Sequence, residues 1–146
     1  MVVAVPGCPL CDADGGALVL RTPRWRLIRA DEEGFPAFYR VVWNAHVAEF
    51  SQLAAAERAE CMDAVAGVEG ALLRHLKPAK VNLAALGNMV PHLHWHVIAR
   101  FDWDSRYPSP VWAPAARPAD AARAAGVAAL LPALEAELAT RFRHPA

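Results

Sequence analysis

The sequence predicts an α+β fold, an antiparallel β-sheet of about five strands with one long helix packed on it and a C-terminal helix. Two observations predict this fold. Short stretches rich in Val, Leu, Ile and Trp lie before and after one long amphipathic segment, an order typical of α+β domains. The chain also has 146 residues without an internal repeat or a linker, which predicts one domain over residues 1–146.

The first part of the chain is predicted to form three strands. Thr22-Pro23 separates the first two, which look like a hairpin, and Pro36 delays the third. The predicted strands are residues 17–21, 25–30 and 38–43. The first 16 residues, which end in a run of Asp and Gly, are expected to be irregular.

Two helices are predicted from apolar periodicity. The first runs from a cap at Ser51 to residue 76, with Gly67 and Gly70 expected to allow close packing against the sheet. Its apolar stripe consists of Cys61, Val65, Val68, Leu72 and Leu76. The second covers residues 118–142, and Pro132 is expected to kink or restart it.

Residues 80–86 and 93–101 are predicted as the last two strands. His94 and His96 lie in the second of these predicted strands, and His92 directly precedes it. Successive side chains of a strand point to opposite faces, so the alternation places three imidazoles on one face. The apolar residues between them form the buried face. The proline-rich stretch 104–117 is expected to be an extended surface segment.

Such a row of imidazoles is compatible with two kinds of chemistry. Same-face residues lie about 6.6 Å apart along a strand, so two histidines can bind one zinc ion, whereas the first and third are about 13 Å apart. Alternatively, the middle histidine is a nucleophile, provided that its other ring nitrogen donates a hydrogen bond to a backbone carbonyl or a flanking histidine. Three histidines on a merely solvated face are a less favoured interpretation.

Composition argues against several classes of protein. Lys and Arg together number 15, as do Asp and Glu, so the net charge is zero and binding to a nucleic acid polymer is not expected. No apolar run approaches the roughly 20 residues of a membrane span, and no signal peptide is recognisable. The three cysteines do not indicate a disulfide framework. These features predict a cytoplasmic protein that does not bind membranes.

The segment around the histidines resembles a known family. Residues 92–98 fit the motif His-φ-His-φ-His-φ-φ, with φ apolar, of the histidine triad (HIT) family. Residues 80–91 resemble the segment that precedes the triad in the bacterial branch of that family, and Pro110-Val111-Trp112 resembles its tail. The resemblance covers about residues 8–115, so residues 116–146 are expected to be a helical extension of one HIT domain.

Members of this family are α+β homodimers that bind purine nucleotides and hydrolyse or transfer nucleotidyl groups. The resemblance implies that His94 attacks the α-phosphorus of a dinucleoside polyphosphate, such as diadenosine tetraphosphate, or of a nucleoside phosphoramidate. A covalent nucleotidyl-histidine would form. His96 would support the nucleophile and the phosphate oxygens, and His92 would either lie beside the leaving group or bind a metal. No organic cofactor is implied.

The resemblance also implies residues that bind the nucleotide. Asn82 matches an asparagine near the ribose and the nucleophile, Asn88 stands where many members have a glutamine, and Asp31 is a candidate for the ribose hydroxyls. Met89 stands where many members carry a hydroxyl donor, and Phe38 where many carry a histidine. The departures at Asn88 and Met89 motivate an alternative, a nucleotide-binding module with little catalytic turnover.

Cys8 and Cys11 form a CxxC motif with three possible interpretations. A redox pair needs the second cysteine on a helix within a βαβ unit. The motif can instead supply half of a zinc site, or the thiols can be unligated. The resemblance implies that His46 and His92 complete a structural Cys2His2 zinc site. A third functional hypothesis, metal-dependent hydrolysis, places a catalytic zinc on the triad itself.

Overall fold

The computed structural model describes residues 3–143 and confirms the predicted sheet. Its five strands are all antiparallel to their neighbours, in the order β1-β2-β3-β5-β4. The strands are β1 Ala17–Arg21, β2 Trp25–Arg29, β3 Phe38–Trp43, β4 Lys80–Ala84 and β5 His94–Arg100. The predicted strands agree with these to within about two residues at each end.

The two faces of the sheet are covered differently. One face packs against the long helix α2, Ala55–Leu76, in a core to which β3 contributes Tyr39 and Val41 and β5 contributes Val97, each at most 1% exposed. The other face carries His94, His96 and Arg40, beside two smaller apolar clusters that include Phe38 and Val42. This division follows from the alternation of the strands, which sends every second side chain to the helix.

The predicted start of α2 was wrong. Ser51 does not cap the helix, because it lies in a separate single turn of 3-10 helix, Phe50–Gln52. The side chain of Glu57 accepts a hydrogen bond of 2.9 Å from the backbone N–H of Ala54, the residue before the helix. The orphan donor at the helix start is thus satisfied from the third helical position rather than by a hydroxyl cap.

The C-terminal region forms two helices, α3 Ala121–Ala128 and α4 Leu131–Arg141, as the predicted restart at Pro132 requires. Gly67 of α2 faces this region and not the sheet, in contrast to the prediction. A methyl group at Gly67 would overlap the ring of Phe142, which explains why only glycine fits there. No helix in the described part of the chain has both the length and the apolar character needed to cross a membrane.

The N-terminal segment is more ordered than predicted. It contains a one-turn helix, α1 Pro9–Asp12, which holds Cys11. Arg26 of β2, which is 3% exposed, donates hydrogen bonds to the carbonyl oxygens of Leu10 (2.7 Å), Ala13 (3.1 Å) and Asp14 (3.0 Å). These bonds fix the CxxC segment against the face of the sheet that carries the triad.

The proline-rich stretch is also not the extended surface segment that its composition predicted. It folds as a series of turns around Asp104, which is 3% exposed. The carboxylate of Asp104 accepts hydrogen bonds from the backbone N–H groups of Arg106 (3.0 Å) and Tyr107 (2.7 Å). A buried carboxylate that accepts several backbone hydrogen bonds holds the surrounding turns in place. The sequence pattern alone did not reveal this role of Asp104.

Candidate active site and metal cluster

The triad lies at the start of β5, with His92 just before the strand and His94 and His96 within it. His92 is fully buried, His96 is 6% exposed and His94 is half-buried. His94 lines a groove of about 260 Å³ together with the loops at residues 48–50 and 85–87. Of the three imidazoles, His94 is therefore the most accessible from solvent.

The ring of His94 is oriented by a backbone carbonyl. Its Nδ1 atom lies 2.6 Å from the carbonyl oxygen of His92. Because a carbonyl only accepts, Nδ1 carries the hydrogen and Nε2 has a free lone pair. Burial lowers the pKa of His94, and the positive charge of Arg40 lowers it further, while the bond to the His92 carbonyl opposes them. The neutral ring is the form that a nucleophilic histidine requires.

His96 has the opposite tautomer. Arg40 of β3 is its register partner, and the Arg40 Nε–H donates a long hydrogen bond of 3.4 Å to Nδ1 of His96. The hydrogen of the neutral ring is therefore on Nε2. Burial lowers the pKa of His96 to about 4, with His94 and Arg40 contributing through charge repulsion. His96 is thus a neutral hydrogen-bond donor at physiological pH.

Trp112 forms part of the rim of this site. Its ring centroid lies 5.2 Å from that of His96, and the side chain is 53% exposed. The structure thus places Trp112 in contact with the triad.

The ring of His92 points away from its two neighbours in the triad. Its Nε2–H donates to the carbonyl oxygen of Trp43 over 2.6 Å, and its Nδ1 lies 3.5 Å from the sulfur atoms of both Cys8 and Cys11. A histidine that donates one ring N–H to a carbonyl has its other nitrogen fixed as a ligand. The geometry therefore favours a metal-binding role for His92 over contact with a leaving group.

Cys8, Cys11, His46 and His92 form a compact cluster, with their ligand atoms all within 4.8 Å of one another. Nδ1 of His46 is 3.4 Å from Sγ of Cys11. Tetrahedral zinc, with Zn–S near 2.3 Å and Zn–N near 2.0–2.1 Å, separates sulfur and nitrogen ligands by about 3.5 Å. The cluster fits zinc, and its four ligands leave no open position. Residues 3–143 contain no second cluster of this kind, including at His94 and His96.

The redox interpretation of the CxxC motif lacks its structural context. Cys11 does lie on a helix, but that helix has a single turn and leads into an antiparallel hairpin. A thioredoxin-like pair requires a βαβ unit, and the sheet within residues 3–143 has no parallel pair of strands.

Asn82 is held by a residue that the sequence interpretation had not singled out. Arg100, 2% exposed, donates from one terminal nitrogen to Oδ1 of Asn82 over 2.9 Å and forms a bidentate pair with Asp104 at 2.8 and 3.0 Å. Because arginine only donates, Oδ1 of Asn82 faces Arg100 and its NH2 group is left as a donor. An arginine at a strand end, four residues before an aspartate, was the available sequence signal.

Two further candidate residues lie apart from the triad. Asn88 is exposed in the loop between β4 and β5, and its side chain makes no hydrogen bond within residues 3–143. Asp31 is also exposed and lines a different groove, with Ala30 and Phe35. Their assignment to a bound nucleotide stays a prediction.

Comparisons with known proteins agree with this arrangement. The HIT domain family model matches residues 15–103. A histidine triad protein from Bradyrhizobium japonicum is 29% identical, with 82% of this chain and 90% of that chain covered and a TM-score of 0.67. One from Marinobacter aquaeolei VT8 is 25% identical, with 86% and 92% covered and a TM-score of 0.67.

A more distant structure, a Zn-bound histidine triad family protein from Mycobacterium smegmatis, is 17% identical, with 92% of this chain and 94% of that chain covered and a TM-score of 0.61. At that identity the likeness shows the fold alone. The comparison with curated proteins gave no significant match. Since the family model spans more than half of the sequence, the chain belongs to the HIT domain family, whose members are in general nucleotide-binding hydrolases and transferases.

Proposed function

We propose that this protein is a nucleotide hydrolase or nucleotidyl transferase that acts at the α-phosphate of dinucleoside polyphosphates or nucleoside phosphoramidates. The observation that carries the proposal is the hydrogen bond between Nδ1 of His94 and the carbonyl oxygen of His92. It leaves the Nε2 lone pair of a neutral imidazole free on a residue that lines the accessible groove, as a nucleophile on phosphorus requires.

The reaction has two steps. In the first, Nε2 of His94 attacks the α-phosphorus, an N–P bond forms, and the bond from phosphorus to the leaving group breaks with its electron pair on the leaving group, which takes a proton from solvent. In the second, a water oxygen attacks phosphorus, the N–P bond breaks and its electron pair returns to Nε2, and water loses a proton. The product is a nucleoside monophosphate, or a transferred nucleotidyl group when an alcohol or amine replaces water.

The neighbours of His94 support this chemistry. Nε2–H of His96 donates to a non-bridging phosphate oxygen, where negative charge grows in the transition state. The NH2 group of Asn82, fixed by Arg100, donates to the ribose or the phosphate. Asn88 and Asp31 are assigned to the leaving group and the ribose hydroxyls on the resemblance alone.

We also propose that Cys8, Cys11, His46 and His92 hold a structural zinc ion. The sulfur–nitrogen distances of 3.4–3.5 Å support it, as does the Zn-bound relative from Mycobacterium smegmatis. Zinc supplies no reacting group here, since all four positions are taken by protein ligands. It ties the N-terminal segment to the backbone that orients His94.

The proposed assembly is a homodimer in the cytoplasm, with residues 1–146 forming one HIT domain and a purine nucleotide as substrate. β4 lies at one edge of the sheet, and Leu83, Leu86 and Trp112 beside it are 42%, 50% and 53% exposed. An exposed apolar edge of this kind is suited to pairing with a second copy of the chain.

The test is turnover of diadenosine tetraphosphate and adenosine phosphoramidate by the wild-type protein and by His94→Ala. We expect wild-type turnover and a loss of at least about 10³-fold in the variant. His75→Ala is a matched control, because His75 is a partly exposed histidine that pairs with Glu137 on the opposite side of the core. Full activity in His94→Ala would contradict the mechanism.

A second candidate function is nucleotide binding with little turnover. It is favoured by Met89, which is 94% exposed and has no hydrogen-bond donor to offer a leaving group. Tight binding of a nucleoside monophosphate, together with negligible turnover across both substrate classes, would support this alternative over hydrolysis.

A further inference from the structure

The register of the sheet places the positive charge of Arg40 directly beside the triad. It lies on β3, opposite His96 on β5 and opposite Ile28 on β2. Its side chain therefore projects from the triad face of the sheet, in the same row as the imidazole of His96. Both His94 and His96 experience its charge.

The guanidinium of Arg40 has unusually few partners for its burial. It is half-buried, and within residues 3–143 no carboxylate forms an ion pair with it. Arg100, by contrast, forms an ion pair with Asp104, and Arg26 donates hydrogen bonds to backbone carbonyl oxygens. The single hydrogen bond of Arg40 in the described chain runs from Nε to His96, so the two terminal nitrogens have no protein acceptor there.

A half-buried guanidinium whose terminal nitrogens have no acceptor favours an anionic ligand, because burial removes part of the hydration of these nitrogens without replacing it. Burial also lowers the pKa of Arg40, and the charge of Glu32, which forms no ion pair with it, opposes this shift; an arginine remains charged at neutral pH. Phe38, the other β3 side chain against His96, packs edge-on at 5.6 Å and has no polar atom. Arg40 is therefore the donor that sets the tautomer of His96.

We propose that Arg40 is a phosphate-binding and positioning residue of this site, with two functions. Its Nε–H holds His96 in the tautomer that presents Nε2–H to the substrate. Its terminal nitrogens bind non-bridging oxygens of the phosphoryl group that His94 attacks. This inference rests on the proposed function, because it requires a nucleotide phosphate at the triad.

The alternative is a purely structural role, in which Arg40 packs against Phe38, with its guanidinium 5.3 Å from the ring centroid. Two substitutions separate the roles. Arg40→Met keeps the apolar stem and removes the charge and every N–H, whereas Arg40→Lys keeps the charge and removes the planar donor group. Arg24→Met is a control, since Arg24 is an exposed residue paired with Glu60.

The experiment is calorimetric titration of wild type and the three variants with adenosine monophosphate and with adenosine. For Arg40→Met we expect the affinity for adenosine monophosphate to fall about 10- to 100-fold, with adenosine unchanged. Arg40→Lys should recover part of that loss, and Arg24→Met should match wild type. In long-range ¹H–¹⁵N spectra, wild-type His96 should be protonated at Nε2, and Arg40→Met should shift it toward a mixture of tautomers.

The outcomes that overturn the inference are distinct from failure of the proposed function. If Arg40→Met lost affinity for adenosine monophosphate and adenosine by the same factor, or for neither, Arg40 would have a packing role only. A tautomer of His96 that is the same in Arg40→Met and wild type would remove the positioning function. If wild type itself does not prefer adenosine monophosphate over adenosine, the proposed function fails, and the inference fails with it.

Discussion

The carbonyl oxygen of His92 accepts the Nδ1–H of His94 over 2.6 Å, while the His92 ring turns toward the sulfur atoms of Cys8 and Cys11. One residue thus belongs to two sites. Its backbone orients the proposed nucleophile, and its side chain completes the proposed zinc cluster. Loss of the metal is therefore expected to lower activity, because it would disturb the His92 backbone that orients His94.

Removal of a zinc ligand should reduce stability and activity together. We expect wild type to contain one zinc per chain by elemental analysis and Cys8→Ser to contain much less, with a lower melting temperature. At free zinc 100 times the dissociation constant, binding adds about 2.7 kcal/mol of stability. Cys61→Ser is the control, since Cys61 is buried in the main core away from the cluster. Equal zinc content in Cys8→Ser and wild type would exclude the site.

The Arg100–Asp104 pair should be one of the most sensitive polar contacts in the protein. Arg100→Met leaves the Asp104 carboxylate buried and without its main partner, and we expect unfolding free energy to fall by about 3–5 kcal/mol in urea denaturation. Arg123→Met, which removes a more exposed pair with Asp120, should have little effect. A similar small effect in both variants would contradict the role assigned to the buried pair.

The stability contributed by Asp104 should depend on pH. Burial raises the pKa of this carboxyl group, but hydrogen bonds from Arg100 and from backbone N–H groups outweigh it, and the net shift is downward. A group whose folded pKa is depressed stabilises the protein above its unfolded pKa, about 3.9, and loses that contribution as pH falls toward the folded value.

The stability difference between wild type and Asp104→Asn should therefore be largest from about pH 5 to 7 and should shrink below about pH 3.9. Urea denaturation across this range measures it. A difference that stays constant down to pH 3 would mean that the charge of Asp104 does not contribute.

The two glycines of α2 should respond oppositely to the same substitution. Gly67→Ala forces a methyl group into the ring of Phe142 and should cost about 1–3 kcal/mol. At Gly70 the nearest atom to an added methyl group is the flexible end of Arg74, so Gly70→Ala should gain up to about 1 kcal/mol of helix propensity. Thermal denaturation compares them, and two equal shifts would contradict the packing of the C-terminal segment on α2.

The sequence was sufficient for the sheet and for the central histidines because both depend on local alternation. His94 and His96 fall on one face wherever β5 pairs. The start of α2 was misjudged because the hydroxyl of Ser51 is only one way to satisfy the first helix donors, and here Glu57 does so. Which side chain satisfies these donors depends on the path of the chain between β3 and α2, and the local sequence pattern does not encode that path.

The residues that were missed are those whose role depends on pairing across the sheet. Arg40 is 56 residues from His96 in sequence, and only the register of β3 and β5 brings them together. Arg26 and Arg100 likewise act on backbone or side chains from other segments. The available sequence signal was an arginine within a predicted strand. The alternation of side chains along the strand places such an arginine on the face opposite the core.

The most direct test of the proposed mechanism is to locate the covalent intermediate. Wild-type protein mixed with diadenosine tetraphosphate, quenched in alkaline denaturant to preserve a phosphorus–nitrogen bond, and digested should yield one adenylylated peptide, with the modification on His94. His94→Ala should yield none. Turnover of the substrate with no adenylylated histidine at early times, or with the group on a residue other than His94, would contradict the account.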